Sequence, residues 1–222
     1  MRKFKIFTLS VFLLTVSLCT AGCERDGVYV RSVSELRQYI FIGDANGVSL
    51  TAFYGFKEFP YENDGKAGEK IYGFTFKIGV VPDEIKRTVK FSRGGKDYSA
   101  DFAHDAVSGE YIAFTETDAD LTGDFTVDYV CGSAVTRVDM VSVLPKNCLD
   151  YKQALAALEK KQKPLLDAYS ADGAFNAEIY MRIIVREDKP YWYVGIAAGN
   201  GDLKALLVDG VSGEILAVRE IK

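Results

Sequence analysis

The side chains able to do chemistry are few. His104 is the only histidine, so a metal site built on paired imidazoles, or a relay between histidines, lacks its second member. Neither H-E-x-x-H nor Cys-x-x-Cys occurs. His104 and Cys131 could in principle act as base and thiol nucleophile, but Tyr98, Ala100, Phe102 and His104 share one face of an alternating strand, which makes a histidine at a strand end the expectation. Glu116, Asp118 and Asp120 space carboxylates like the start of a calcium loop. Leu121 stands where such a loop needs glycine and Val127 where it needs the bidentate acid, so a solvated acidic turn is expected. Gly94-Gly95-Lys96 lacks the strand-to-helix context of a phosphate loop and reads as a hairpin. With no acid, base and nucleophile to assemble, the chain is expected to have no catalytic residues, no metal, no cofactor and no enzymatic activity. Tyr191-Trp192-Tyr193 is the aromatic cluster that could meet a partner. In a strand Trp192 points away from both tyrosines; core packing of all three is the expectation, an exposed peptide or glycan platform the alternative.

The N-terminus says more about place than about chemistry. Arg2, Lys3 and Lys5 precede an apolar run from Ile6 to Leu18, about 13 residues and within the signal-peptide range. A spanning helix needs about 20. Ala21-Gly22-Cys23 follows and resembles a bacterial lipobox, with Thr20 where that motif usually carries leucine. The resemblance implies cleavage before Cys23 and lipid attachment to it (palmitate among the chains), residues 1–22 being the signal peptide and 23–30 a short tether. More than one acyl chain gives stable anchoring. The expected location is the outer face of the bacterial cell membrane, with plain secretion as the alternative.

Charge points the same way. The chain has 27 Lys+Arg against 31 Asp+Glu. Without the three signal-peptide cations this becomes 24 against 31, near −7. Such a balance opposes nucleic-acid binding, which draws its affinity from phosphate neutralisation, and equally opposes peripheral attachment to an anionic leaflet through a basic patch. Cys131 and Cys148 remain as an even pair once Cys19 and Cys23 are set aside. An exported protein can join them as a disulfide, worth on the order of 3 kcal/mol; two free, buried thiols are the alternative.

The patterning that must position these residues divides near Pro145-Lys146-Asn147. Ser32-x-x-Glu35, with Leu36, Tyr39 and Ile40, fits a capped helix and a strand about equally. Asn46-Gly47, Gly94-Gly95 and Gly132-Ser133 mark turns between short alternating strands, among them Tyr72, Phe74, Phe76 and Ile78. This predicts a β-sandwich over 31–145, and the stretch from Leu121 to Val127 is weakly similar to a strand of bacterial immunoglobulin-like domains. Beyond it, Asp150 with Gln153 caps a helix carrying Tyr151, Leu155 and Leu158, with Pro164 either stopping it or following its end. Four strands follow, with Asn200-Gly201 as the strongest hairpin signal. The expected fold class is mainly β with α+β: a sandwich, then a helix packed on a four-stranded antiparallel sheet over 149–222.

Asp209-Gly210-Val211-Ser212-Gly213-Glu214 closes that pattern. With the helix and strands before it, it resembles a PepSY domain, with Asp209, Ser212 and Gly213 on the family's turn positions. Asp209 can accept turn amides and Gly213 can take a positive φ. The resemblance covers about a third of the chain. It implies binding or restraint of a protein partner, a peptidase among the candidates, rather than catalysis. The functional expectation is therefore a non-enzymatic envelope lipoprotein that holds a protein partner. The alternative is a structural or assembly accessory that contacts wall polymer or an envelope complex.

Overall fold

In the computed structural model, residues 27–60, 66–79, 85–106, 108–117, 123–171 and 173–221 are described. The signal peptide, Cys23, the Tyr61-to-Asp64 loop, Pro82-Asp83, and Asp118, Asp120, Leu121 and Thr122 lie outside them. A four-residue helix α1 (Val28–Arg31) leads into β1 (Val33–Ala45), which forms a hairpin with β2 (Val48–Phe59). The turn is Asn46-Gly47, with φ of 49° and 79°, the positive pair that a two-residue hairpin requires. The Ser32-x-x-Glu35 helix does not form. A bulge explains why the pattern looked helical. Pairing with β2 shifts between Arg37 and Tyr39, so Gln38 is an extra residue and burial changes parity across it. Leu36 packs in one hydrophobic cluster and Phe41 in the other.

The strands β3 (Glu69–Ile78), β4 (Arg87–Arg93), β5 (Lys96–Asp101), β6 (Ala103–His104), β7 (Tyr111–Glu116), β8 (Phe125–Cys131) and β9 (Ala134–Ser142) complete the first half. Their order through β1 is β6-β7-β3-β2-β1-β9-β8-β4-β5. Where two facing sheets of a sandwich were expected, the sheet curls into a nearly closed antiparallel wrap. The reason is β1, which bonds to β2 on one edge and to β9 on the other and so joins the two layers. The interior is aromatic. The Phe74 ring lies 5.0 Å from Phe125, 5.1 Å from Tyr54 and 5.5 Å from both Phe76 and Phe91, within the range where offset and edge-on pairs add to burial.

The second half is a helix α2 (Tyr151–Asp167), a small hairpin of β10 (Ser170–Ala171) and β11 (Ala174–Phe175), and an antiparallel meander of β12 (Ala177–Arg186), β13 (Lys189–Ala198), β14 (Leu203–Asp209) and β15 (Ile215–Ile221). Asp150 and Gln153 form the expected capping box, each side chain taking the other's backbone N–H. Pro164 does not end the helix. The backbone instead leaves helical geometry at Gln162 (φ −130°), and the last turn continues past the proline. Leu155, Leu158 and Leu166 pack on Ile179, Met181, Trp192, Val194 and Leu206, each buried leucine contributing roughly 1.5–3 kcal/mol.

The halves share a strand. Before its bulge, β1 runs parallel to β12, with Leu36 opposite Met181 and Arg37 opposite Arg182. Beyond the bulge β9 takes that edge, with Phe41 opposite Ser142. One sheet therefore runs from β15 to β6, and Tyr29, Val33, Leu36, Ile40 and Phe56 bury themselves in the cluster beneath α2.

Candidate binding groove on the shared sheet

A groove crosses the outer face of β1, β2, β3 and β7, on the side of the sheet away from α2. Alternation sets the sides: Leu36 and Phe56 point toward α2, so Glu35, Arg37, Gly55 and Lys57 point the other way. Gly55 and Gly73 face each other across β2 and β3 and leave the floor without side chains. Both must be glycine. A Cβ at Gly55 would stand 1.8 Å from the Leu36 carbonyl oxygen, and one at Gly73 would stand 2.4 Å from that of Thr115. Phe53, Ile112 and Phe114 form walls, and Phe59 with Pro60 closes one end, around a cavity of about 510 Å³. Phe59 is 64% and Phe114 38% exposed, so aromatic surface lies open along the groove.

Charge is arranged along the groove's edges. Glu35, buried on β1, accepts from Arg37 Nε at 2.9 Å, from Arg182 Nε at 2.9 Å and from Arg182 Nη2 at 2.6 Å. The bidentate Arg182 contact is the strong geometry for such a pair, and it ties β12 to β1 beside the groove. Lys57 Nζ sits 4.7 Å above the Phe114 ring, and the Arg37 guanidinium and Lys77 Nζ each 5.8 Å from that of Phe53, a cation–π arrangement. An apolar floor and walls with cations over the rings can hold an extended chain bearing apolar and acidic groups.

The residues singled out from the sequence fall elsewhere. Trp192 is buried under α2 and its Nε1 donates to the Leu149 carbonyl at 3.0 Å. Tyr191 and Tyr193 lie half-buried on the opposite face. Tyr193 lines a shallow cavity of about 310 Å³ with Tyr180, Arg182 and Gly195, so Arg182 stands between that hollow and the groove. Asp209 Oδ1 accepts from the Val211 and Ser212 amides, at 3.0 and 2.7 Å, and from Ser212 Oγ at 3.0 Å. The amides of Ser212 and then Val211 hold its carboxyl below the usual range. Gly213 takes φ +68° and lies so close to α2 that a Cβ would meet that of Ala157 at 2.8 Å, while Lys161 Nζ donates to its carbonyl at 3.0 Å. This turn docks on the helix and positions no ligand group.

The disulfide is absent: Cys131 and Cys148 are both free thiols. They pack against different cores, Cys131 at the wrap's interior and Cys148 beside α2's cluster. Burial, and then the Asp209 carboxylate, push the Cys148 thiol up to about 11, far from a reactive thiolate. His104 is exposed at the end of β6, its ring 5.4 Å from Tyr111. Among the described residues no group of three or more His, Cys, Asp or Glu side chains could hold a metal, and no helix is long and apolar enough to cross a membrane. Sequence reading did not find the groove. Its signal was Gly55 and Gly73, isolated glycines inside strands, which mark close approach of backbones. No family model matches the chain, and comparisons with curated proteins and with solved structures find no match either.

Proposed function

We propose that the chain is a non-enzymatic, exported lipoprotein, anchored through Cys23, that holds a protein partner at the outer face of the bacterial cell membrane. The observation that carries this reading is the groove. Exposed Phe59 and Phe114 stand over a floor that only glycine permits, with cations stacked on the walls. An exposed apolar face rimmed by charged side chains is of the kind that a protein partner covers. The C-terminal helix and meander, closed by the Asp209–Gly213 turn, support the PepSY-like reading, and with it a peptidase as one class of partner.

The test is recovery of the partner from detergent-solubilised envelope with the wild-type chain and with Phe114→Asp. The expected result is a protein that co-purifies with the wild type and is lost with the variant, while circular dichroism of the two coincides. Recovery of wall polymer instead of protein would favour the accessory role. Equal recovery with both chains would remove the groove from the account.

A further inference from the structure

Strand β15 carries main-chain groups with no strand beside them, and parity identifies which they are. The Ala198 N–H donates to the Asp202 carbonyl at 2.9 Å. Alternate residues of β13 therefore turn their main-chain groups to β14, where Lys204, Leu206 and Val208 answer them. That leaves Leu203, Ala205 and Leu207 to bond β15, through Ile221, Arg219 and Ala217. The N–H and C=O of Val218 and Glu220 point the other way, and β15 ends the sheet on that side.

The side chains on this edge guard it only in part. Leu216, Val218 and Ile221 are 47%, 46% and 40% exposed. Edges are usually blunted by charge, proline or a bulge. Here one bulge falls where the pairing shifts between Leu207 and Val208, and two charges follow it on opposite faces. Glu220 stands opposite Lys204, on the α2 side with Val218, and Lys204 Nζ answers it at 3.4 Å. Arg219 faces the other side and makes no hydrogen bond or ion pair among the described residues.

A second copy of this chain fits the edge poorly. A two-fold axis on Val218 sets Leu216 against the copy's Glu220, and Arg219 against its Ala217. The apolar side chain then meets a carboxylate and the unanswered guanidinium meets none. An axis on Arg219 or on Glu220 sets like charges opposite each other, which destabilises a strand pair.

We propose that β15 takes up an extended segment of a different protein, antiparallel along Val218 and Glu220. An acidic residue of that segment stands opposite Arg219, with apolar residues opposite Val218 and Ile221. Main-chain bonds supply the affinity in such strand addition, and the alternating side chains supply the selectivity. The surface is separate from the groove, whose β7 lies toward the opposite end of the sheet, so its failure would leave the groove reading standing.

The probe is a fluorescein-labelled peptide with the core valine-threonine-glutamate-valine-threonine-valine, titrated into the purified full chain and read by anisotropy. The same core with lysine in place of glutamate is its control. Wild type should bind the glutamate peptide several-fold more tightly than the lysine peptide, and Arg219→Glu should reverse that preference. Val218→Pro removes an N–H that faces the open edge, where proline is tolerated. It should abolish binding and leave the circular dichroism spectrum unchanged; if this variant does not fold, the charge swap decides. Binding of neither peptide, or equal binding of both by wild type and Arg219→Glu, overturns the proposal. A wild type that sediments as a dimer, and a folded Val218→Pro as a monomer, overturns it in favour of a second copy.

Discussion

The two halves of this molecule cover an apolar sheet face in different ways. In the first half the sheet curls until it covers itself, and the space inside is filled by phenylalanine rings stacked around Phe74. In the second, four strands stay open and α2 lays a leucine stripe across them. Curling consumes strand edges, whereas an open meander leaves one, and β15 is such an edge. The halves meet in β1, which serves the open sheet up to Arg37 and the curled one from Tyr39 onward. A single inserted residue, Gln38, switches the strand between these two solutions, and the groove lies over the switch.

The largest expected effect comes from disturbing that switch. Gly55→Val would drive a side chain into the Leu36 carbonyl, backbone that cannot step aside. The cost should be on the order of 4–5 kcal/mol or more, seen as loss of the whole folded population in urea denaturation. Gly195→Ala serves as the control, since its nearest neighbour would stand at an ordinary 3.4 Å. Next come the two cores. Phe74→Ala should cost about 3–5 kcal/mol and Leu158→Ala about 2–5 kcal/mol, each side chain being fully buried. Because both cores draw on β1, either variant should shift one shared transition when near-ultraviolet circular dichroism and Trp192 fluorescence are followed together. Two separated transitions would show that the shared strand does not couple the halves.

Smaller effects sharpen the second half. Asp150→Ala removes the cap that accepts the Gln153 amide at 2.8 Å and should lower stability by about 1 kcal/mol, readable as a shift in Tm. The least is expected at Asp209. Its folded-state carboxyl is held below the ordinary range by the turn amides, so its contribution is present above the unfolded carboxylate value and fades as pH falls through the lowered folded one. Wild type should therefore lose stability relative to Asp209→Asn below about pH 4, and the two curves should run parallel at neutral pH.

What could be read from the sequence was local. The Asp150–Gln153 cap, the turns at Asn46-Gly47, Gly94-Gly95 and Asn200-Gly201, and the Asp209 turn each depend on side chains within a few residues of one another, and each is in place. The pairing of Leu36 with Met181 joins positions far apart in the chain and has no local signature. The bulge at Gln38 misled for a related reason, since one inserted residue turns an alternating strand pattern into a spacing of three and four. Glu35 looked like a capping residue and is instead the carboxylate that Arg37 and Arg182 grip. The groove shared that fate: its floor is defined by glycines whose importance appears only once β1, β3 and β7 lie beside β2.

The binding account is tested most directly in living cells with a photo-reactive amino acid at position 114. As a reference, the same group goes at position 135, where Val135 on β9 is 62% exposed. Illumination should give a discrete adduct with one protein partner at 114 and none at 135. Adducts at both positions alike, or at neither, would contradict a partner held in the groove.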